Sequence, residues 1–168
     1  MAEVVERRTG RRAAIKWPND VRIDGRKLAG VLVERGLGSV IGIGLNVNCD
    51  EAAFPGLLRA SATSLRILLG RAVDRSELAR ELIHQLDARY QEGLQQGAGP
   101  LDRAWRDRLE QLGRPVRVET AAGILSGRLI AAGLESGVLI APDEGPMRAV
   151  AAPEILALGA DEQIDAAS

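Results

Sequence analysis

The 168-residue sequence predicts an α+β fold: a mixed, largely antiparallel sheet covered by helices, followed by a small β-barrel. Three observations carry this. Short β-branched-rich runs separated by turn residues fill positions 13 to 48. An apolar residue then recurs at helical spacing from Leu78 to Leu94. Beyond Gly113 the texture changes to short apolar runs punctuated by glycine, the pattern of several closely spaced strands.

Taken in order, the first residues read as the end of a helix, with Arg7, Arg8, Arg11 and Arg12 solvated around Gly10. Strands are expected at 13 to 17, 21 to 24, 27 to 35 and 40 to 48. Asp24-Gly25 lies between two of them and signals a tight hairpin, because a turn of that kind needs positive φ. A second turn falls at 36 to 39. The run 28 to 33 is apolar enough to be covered on both faces. Residues 62 to 69 read as a short helix stopped by Gly70. Asp74 followed by Glu77 is a capping-box pattern that opens a long helix. Its stripe of Leu78, Leu82, Leu86, Tyr90 and Leu94 predicts that it covers the sheet. Pro100 opens a further helix carrying Leu101, Trp105, Leu109 and Leu112, ended by Gly113 and Pro115. Strands of the barrel are expected at 116 to 119, 124 to 131, 138 to 141 and 147 to 151. The organisation expected is thus a first domain over 1 to 112, a second over 113 to 160, and a disordered tail over 161 to 168.

Composition excludes several classes. With 46% hydrophobic and 27% charged residues the chain reads as a soluble protein. A net charge of -1 gives no chain-wide phosphate-binding surface, so no nucleic-acid partner is expected. The apolar runs are far too short for a bilayer, and no membrane association is expected. One cysteine, Cys49, and no secretory leader favour a cytoplasmic setting.

Two segments carry chemistry. Lys16-Trp17-Pro18-Asn19-Asp20 presents Asn19 and Asp20 at a strand-end turn, since Pro18 restricts the backbone before it. The Asp24-Gly25 hairpin folds Lys27 back toward Asp20. A lysine beside a carboxylate near glycine backbone suits a phosphate, possibly metal-bound, and equally describes a surface ion pair. Ile41-Gly42-Ile43-Gly44-Leu45-Asn46 leaves one strand face without side chains. Either a flat ligand lies there, with Asn46 reading an adenine edge, or the run is a bulged core strand. It is not a dinucleotide fingerprint, because Val47 stands where a third glycine would be needed.

Four segments in order, Lys16 to Asp20, Arg26 to Glu34, Gly42 to Asn48 and Ala62-Thr63-Ser64-Leu65, resemble the biotin protein ligase family in sequence and spacing. The resemblance continues through the helices and likens the region after Gly113 to that family's SH3-like C-terminal domain. It implies ATP-dependent formation of biotinyl-5'-adenylate, with Mg²⁺ accompanying ATP, and transfer of biotin to a lysine of a biotin carboxyl carrier domain. Lys27 matches the family's lysine that contacts the biotin carboxylate and the α-phosphate. Asp20 matches its acidic residue near metal and phosphate. Gly30, Leu32 and Gly42 match the wall of the biotin pocket, and Asn46, with Asn19 and Lys16, falls on the nucleotide side.

The sequence departs from the family in one respect. The glycine-arginine loop of the form Gly-Arg-Gly-Arg-x-Gly-Arg is not spelled in these 168 residues, and Arg8-Thr9-Gly10-Arg11-Arg12 lacks its repeated glycines. The resemblance is therefore to the C-terminal part of the catalytic domain, and only a partial sheet is expected. An N-terminally shortened ligase, weak or inactive by itself, is the first expectation. A non-catalytic remnant that binds carrier or adenylate is the alternative, and a lipoate ligase is a more distant one. No winged helix is present, so DNA binding is not expected. Apolar surface left bare by a partial sheet predicts association, including a homodimer.

Overall fold

The computed structural model describes residues 1 to 160; the tail expected at 161 to 168 lies outside the described residues. The chain is α+β and divides into two units, Met1–Gly99 and the part from Pro100 onward. The division falls between Gly99 and Pro100, at the start of a helix, whereas the boundary expected from sequence is after Leu112.

The first unit opens with α1 (Ala2–Thr9), which stops at Gly10 in the left-handed conformation at φ 67°. Four strands follow, β1 (Ala13–Lys16), β2 (Asp20–Ile23), β3 (Arg26–Arg35) and β4 (Ser39–Leu45), forming one antiparallel sheet in sequence order. Asp24 (φ 49°) and Gly25 (φ 75°) make the tight turn between β2 and β3, the two positive φ values matching the twist of the strands they join. A parallel bridge between Lys27 and Ala62 makes the assembly mixed.

One face of the sheet carries the core. Ala13, Val21, Ile23, Leu28 and Ala29 pack with Val4 and Val5 of α1, Leu65 of α2 (Leu65–Leu69) and Leu78 of α3 (Arg75–Gln96). Ser64 caps α2 by accepting from the Ile67 N–H at 3.2 Å, and Gly70 ends it in the left-handed region. Asp74 caps α3 by accepting from the N–H groups of Ser76 (2.7 Å) and Glu77 (3.0 Å), which hold its carboxyl below the usual range. Glu77 itself turns to Arg8, at 3.1 Å.

Three sequence expectations are corrected here. Arg7, Arg8 and Arg11 are not simply solvated, because each has an acidic partner. Arg8 pairs with Glu81 at 2.5 Å, Arg7 with Glu81 at 3.3 Å, and Arg11 with Asp24. Burial pushes the Glu81 carboxyl up, but the hydrogen bonds and charges of Arg8 and Arg7 outweigh it and hold it below its ordinary value. Second, α3 covers the sheet only at its start. Leu78 is buried and Leu82 half-buried, whereas Leu86, Tyr90 and Leu94 are exposed. The helix is instead tied alongside α1, Gln85 donating to Glu3 at 2.7 Å and Arg89 pairing with Glu3 and Glu92. Third, β3 is not covered on both faces: Leu28 and Ala29 are buried, but Leu32 and Val33 are 58% and 51% exposed.

The second unit begins with α4 (Gly99–Arg106), shorter than expected, since residues 107 to 112 run as turns. Five strands follow, β5 (Pro115–Thr120), β6 (Gly123–Gly133), β7 (Gly137–Ala141), β8 (Arg148–Val150) and β9 (Ile155–Ala160), in the antiparallel order β8-β7-β6-β5-β9. Val116, Val118, Leu129 and Ile140 are fully buried on one side of this sheet. The strand β9 was not expected, although Ile155, Leu156 and Leu158 are apolar. Gly137 has φ 83°, and a Cβ there would lie 2.1 Å from the Val150 carbonyl oxygen, so only glycine fits that crossing.

Candidate active site

The uncovered face of the first sheet gathers the residues singled out from sequence. Register fixes which side chains share it. Lys16 lies opposite Asp20, Asp20 opposite Gly30, and Gly30 opposite Gly44, so one row crosses all four strands. Leu32 and Gly42 form the next row on the same face.

Lys27 joins that face through an irregularity. It is three residues from Gly30, and alternation along a regular strand would put the two on opposite faces. The register shifts between Val21 and Arg22, so that Lys27 stands opposite Arg22 while Ala29 stays opposite Val21. The extra residue, Leu28, is buried beside Ala29 on the core face. This bulge re-aims Lys27, as bulges next to functional sites often do. The Lys27 ammonium reaches Asp20 Oδ1 at 2.7 Å, with the lysine side chain 49% exposed and the aspartate 24%. In this geometry the pair contributes little to folding, being open to solvent.

Glycine keeps the surface beside the pair low. A Cβ at Gly30 would lie 3.4 Å from Asp20 Oδ1 and 3.7 Å from Lys27 Nζ, touching both partners of the ion pair. Added at Gly42 or Gly44, a Cβ would meet only the backbone and Cβ of the neighbouring strand, at 3.7 to 3.9 Å. Side chains would therefore fit there. What their absence provides is a flat floor, bordered by Leu32, on which a planar or apolar ligand can rest.

The backbone of Lys27 is held from both sides. Its N–H donates to the Ser61 carbonyl at 2.7 Å and its carbonyl accepts from the Thr63 N–H at 2.9 Å. The Thr63 carbonyl accepts in turn from the Asn46 side-chain amide at 3.0 Å, and the Asn46 N–H continues the ladder to Leu28 at 3.0 Å. Residue 63 thus links the lysine to the asparagine. In the sequence, Ala62-Thr63-Ser64-Leu65 stands out only as a match to the family. Its structural content, two backbone groups of one residue holding two site residues, has no signature in residue type. Asn48, not singled out, exchanges two hydrogen bonds with the backbone of Val73, at 2.9 and 3.0 Å, and anchors the chain after β4.

Asn19 lies in the turn before β2, where its carbonyl accepts from the Val31 N–H at 3.1 Å. Lys16 is at the end of β1, half-buried, and Asn46 is at the end of β4. All the predicted residues belong to one sheet and its margin, but Asn46 reaches the others through Thr63 and not by direct contact. Among the described residues no group of three or more His, Cys, Asp and Glu side chains could hold a metal. Asp20 alone would serve a magnesium ion only alongside phosphate oxygens, which is how Mg²⁺ is commonly held. No helix of the described residues is long and apolar enough to cross a membrane.

Comparison with known proteins points to one family. Residues 1–48 match the model of the Biotin/lipoate A/B protein ligase family. The chain is 35% identical over 153 residues to the biotin--[acetyl-CoA-carboxylase] ligase of Paracoccus denitrificans, covering 86% of this chain and 62% of that protein. It is 31% identical over 147 residues to the bifunctional ligase/repressor BirA of Bacillus subtilis, covering 84% of this chain and 45% of that protein. It therefore spans about half the length of these relatives. Among solved structures, the biotin protein ligase of Aquifex aeolicus in complex with biotin and ATP superposes with a TM-score of 0.81 at 26% identity, over 95% of this chain and 67% of that one.

Proposed function

We propose, since this chain belongs to the biotin protein ligase family, that the open face of its first sheet takes part in joining biotin to ATP and then to protein. The observation that carries the reading is the bulge that sets Lys27 beside Asp20 at the edge of a glycine floor. In the first step a biotin carboxylate oxygen attacks the α-phosphorus of ATP, the bond to the β-phosphate breaks, and pyrophosphate leaves. In the second, the ε-amine of a lysine on a biotin carboxyl carrier domain attacks the acyl carbon of the adenylate. An amide forms, AMP leaves, and the amine's proton goes to solvent or a nearby base.

Lys27 would bind both the carboxylate and an α-phosphate oxygen, bringing the two anions together and stabilising the charge that builds at phosphorus. A fixed cation aimed at developing charge lowers the barrier without reorganising during the reaction. The rings of biotin would lie on Gly30 and Gly42 with Leu32 beside them. Asn46 is suited to adenine, since one amide hydrogen goes to Thr63 and the second hydrogen and Oδ1 remain for the base edge. Asn19 lies at the turn on the same side. Mg²⁺ arriving with ATP would be held by phosphate oxygens and would neutralise phosphate charge there. The face is open as it stands, and an adenylate on it would meet water. A glycine-arginine loop of the family form, not spelled in these residues, is the cover that this chemistry calls for.

The test is biotin-dependent pyrophosphate release from MgATP, followed by transfer of labelled biotin to a carrier domain. It is run on this chain and on one extended upstream to include such a loop. Both products are expected from the extended protein, with this chain slower by orders of magnitude. Pyrophosphate release that ignores biotin, or labelling that persists with the carrier lysine removed, would overturn the reading.

A further inference from the structure

Asp20 has a cation on each side. Lys27 holds its Oδ1 at 2.7 Å from one side, and Lys16 stands directly opposite it across the β1–β2 ladder. Directly opposed residues in an antiparallel pair have Cβ atoms about 4.5 to 5.5 Å apart, within reach of a lysine and an aspartate. Lys16 is half-buried at its strand end, and none of its ammonium hydrogens goes to an acidic side chain among the described residues. One carboxylate is therefore shared by geometry between two lysines, and in this state only one of them holds it.

We propose that Asp20 exchanges partners. At rest it holds Lys27; when the carboxylate and phosphate of the substrates draw the Lys27 ammonium toward them, Asp20 swings across the strand pair to Lys16. The proposal rests on the reading that Lys27 meets the substrates. The physical reason is charge. An aspartate abandoned beside two anions would repel them, and a lysine already waiting on the adjacent strand neutralises it without any backbone movement. Lys16 is then a positioning residue that acts through Asp20, and its own contact with phosphate is not needed. The arrangement also gives the Lys16 end of that row a role beside the anion and the two glycines.

The exchange can be watched without substrate, because Lys27→Met imitates the departure of the lysine. Lysines are labelled by reductive ¹³C-methylation and the Lys16 resonance, assigned by its loss in Lys16→Arg, is titrated. In Lys27→Met the Lys16 midpoint is expected to rise, and in Lys27→Met with Asp20→Asn to return to the parent value. An unchanged Lys16 midpoint in Lys27→Met overturns the exchange whatever the chain's activity. The second arm is kinetic and uses the loop-containing protein. Lys16→Met is expected to lower kcat about two- to fivefold, the range of an opposed charge pair on a sheet, with the KM for ATP unchanged. In an Asp20→Asn background the same substitution is expected to do nothing, and Lys16→Arg is expected to restore the rate. A rise in the KM for ATP that persists in Asp20→Asn would mean that Lys16 touches phosphate directly, and would overturn the proposal. Failure of the functional reading looks different: no biotin-dependent release from the loop-containing protein, with the midpoints moving as expected.

Discussion

The two halves of the first sheet obey different rules although β3 runs through both. Near the Asp24-Gly25 turn, one face of β1, β2 and the start of β3 is packed under α1, α2 and α3, and the other carries Lys16, Asp20, Arg22 and Lys27. Beyond Gly30 neither face is covered. Leu32 and Val40 are exposed on the side of the glycines, and Val33, Ile41 and Ile43 on the opposite side, between 40% and 64% open. Equal hydrophobicity in sequence thus stands for opposite environments. Alternation tells which residues share a face, but the cover comes from elements far along the chain or from another molecule. Contiguous apolar surface left open in this way is what association with another molecule would cover.

The largest contrast is expected in stability. Leu28→Ala empties a fully buried position and should cost about 2 to 5 kcal/mol, while Val33→Ala, five residues on in the same strand, should stay within about 0.5 kcal/mol. Urea unfolding of both variants measures this. Equal losses would show that the far half is covered in solution, and a concentration-dependent midpoint would show that copies of the chain cover it.

Activity should divide the same sheet by face. In the loop-containing protein, Lys27→Ala is expected to lower adenylate formation by about 10² to 10³, roughly 3 to 4 kcal/mol, with the melting temperature nearly unchanged. Pyrophosphate release and calorimetric melting on one preparation decide it. A normal rate would reduce the Lys27–Asp20 contact to a surface ion pair.

Asn46 sits where face and framework meet, so its replacement should register in both measurements. Asn46→Ala removes the hydrogen bond to the Thr63 carbonyl, and is expected to cost roughly 0.5 to 1.5 kcal/mol in stability and a similar amount in ATP binding. Titration calorimetry with ATP and with biotin separates the two ligands. A loss confined to stability would leave Asn46 as a strut.

The smallest effect concerns the packed side in acid. Asp74 and Glu81 have folded values below their ordinary 3.8 and 4.5, so their contribution is fully present above those values and is lost as pH falls through the depressed ones. The melting temperature should therefore decline with acidification below about pH 4.5, and less steeply in Glu81→Gln. Identical slopes would mean that Arg7 and Arg8 hold Glu81 no better in the folded chain than in the unfolded one.

Sequence reading succeeded where local chemistry decides. Asp24-Gly25, Gly10, Gly70 and the caps at Ser64 and Asp74 act over a few residues, and their types announce the geometry. The α+β class was legible from such turns and the runs between them, and the Asp24-Gly25 turn also implied that Lys27 folds back toward Asp20. What could not be read needs distant partners. The stripe from Leu86 to Leu94 is helical in period but bare, because period reports the face and not its neighbour. The link from Lys27 through Thr63 to Asn46 uses backbone atoms that every residue owns. The arginines of α1 read as solvent-facing because Glu77 and Glu81, their partners, lie some seventy positions away.

The spacing of Lys27 and Gly30 has a consequence for how this segment tolerates changes of length. Two side chains an odd number of positions apart can share a face only if the ladder breaks once between them, so the segment's parity is part of its chemistry. Deleting Ala29 would make the count even, heal the break and leave the lysine on the same side. Lys27 and Gly30 would stay opposite Arg22 and Asp20, two positions apart on the partner strand, but the bend and added twist that a bulge gives its strand would be lost. A more regular strand would then hold the lysine in register but aimed differently. Indels in this stretch should therefore separate good folding from good catalysis, and no inspection of hydrophobic pattern would reveal it.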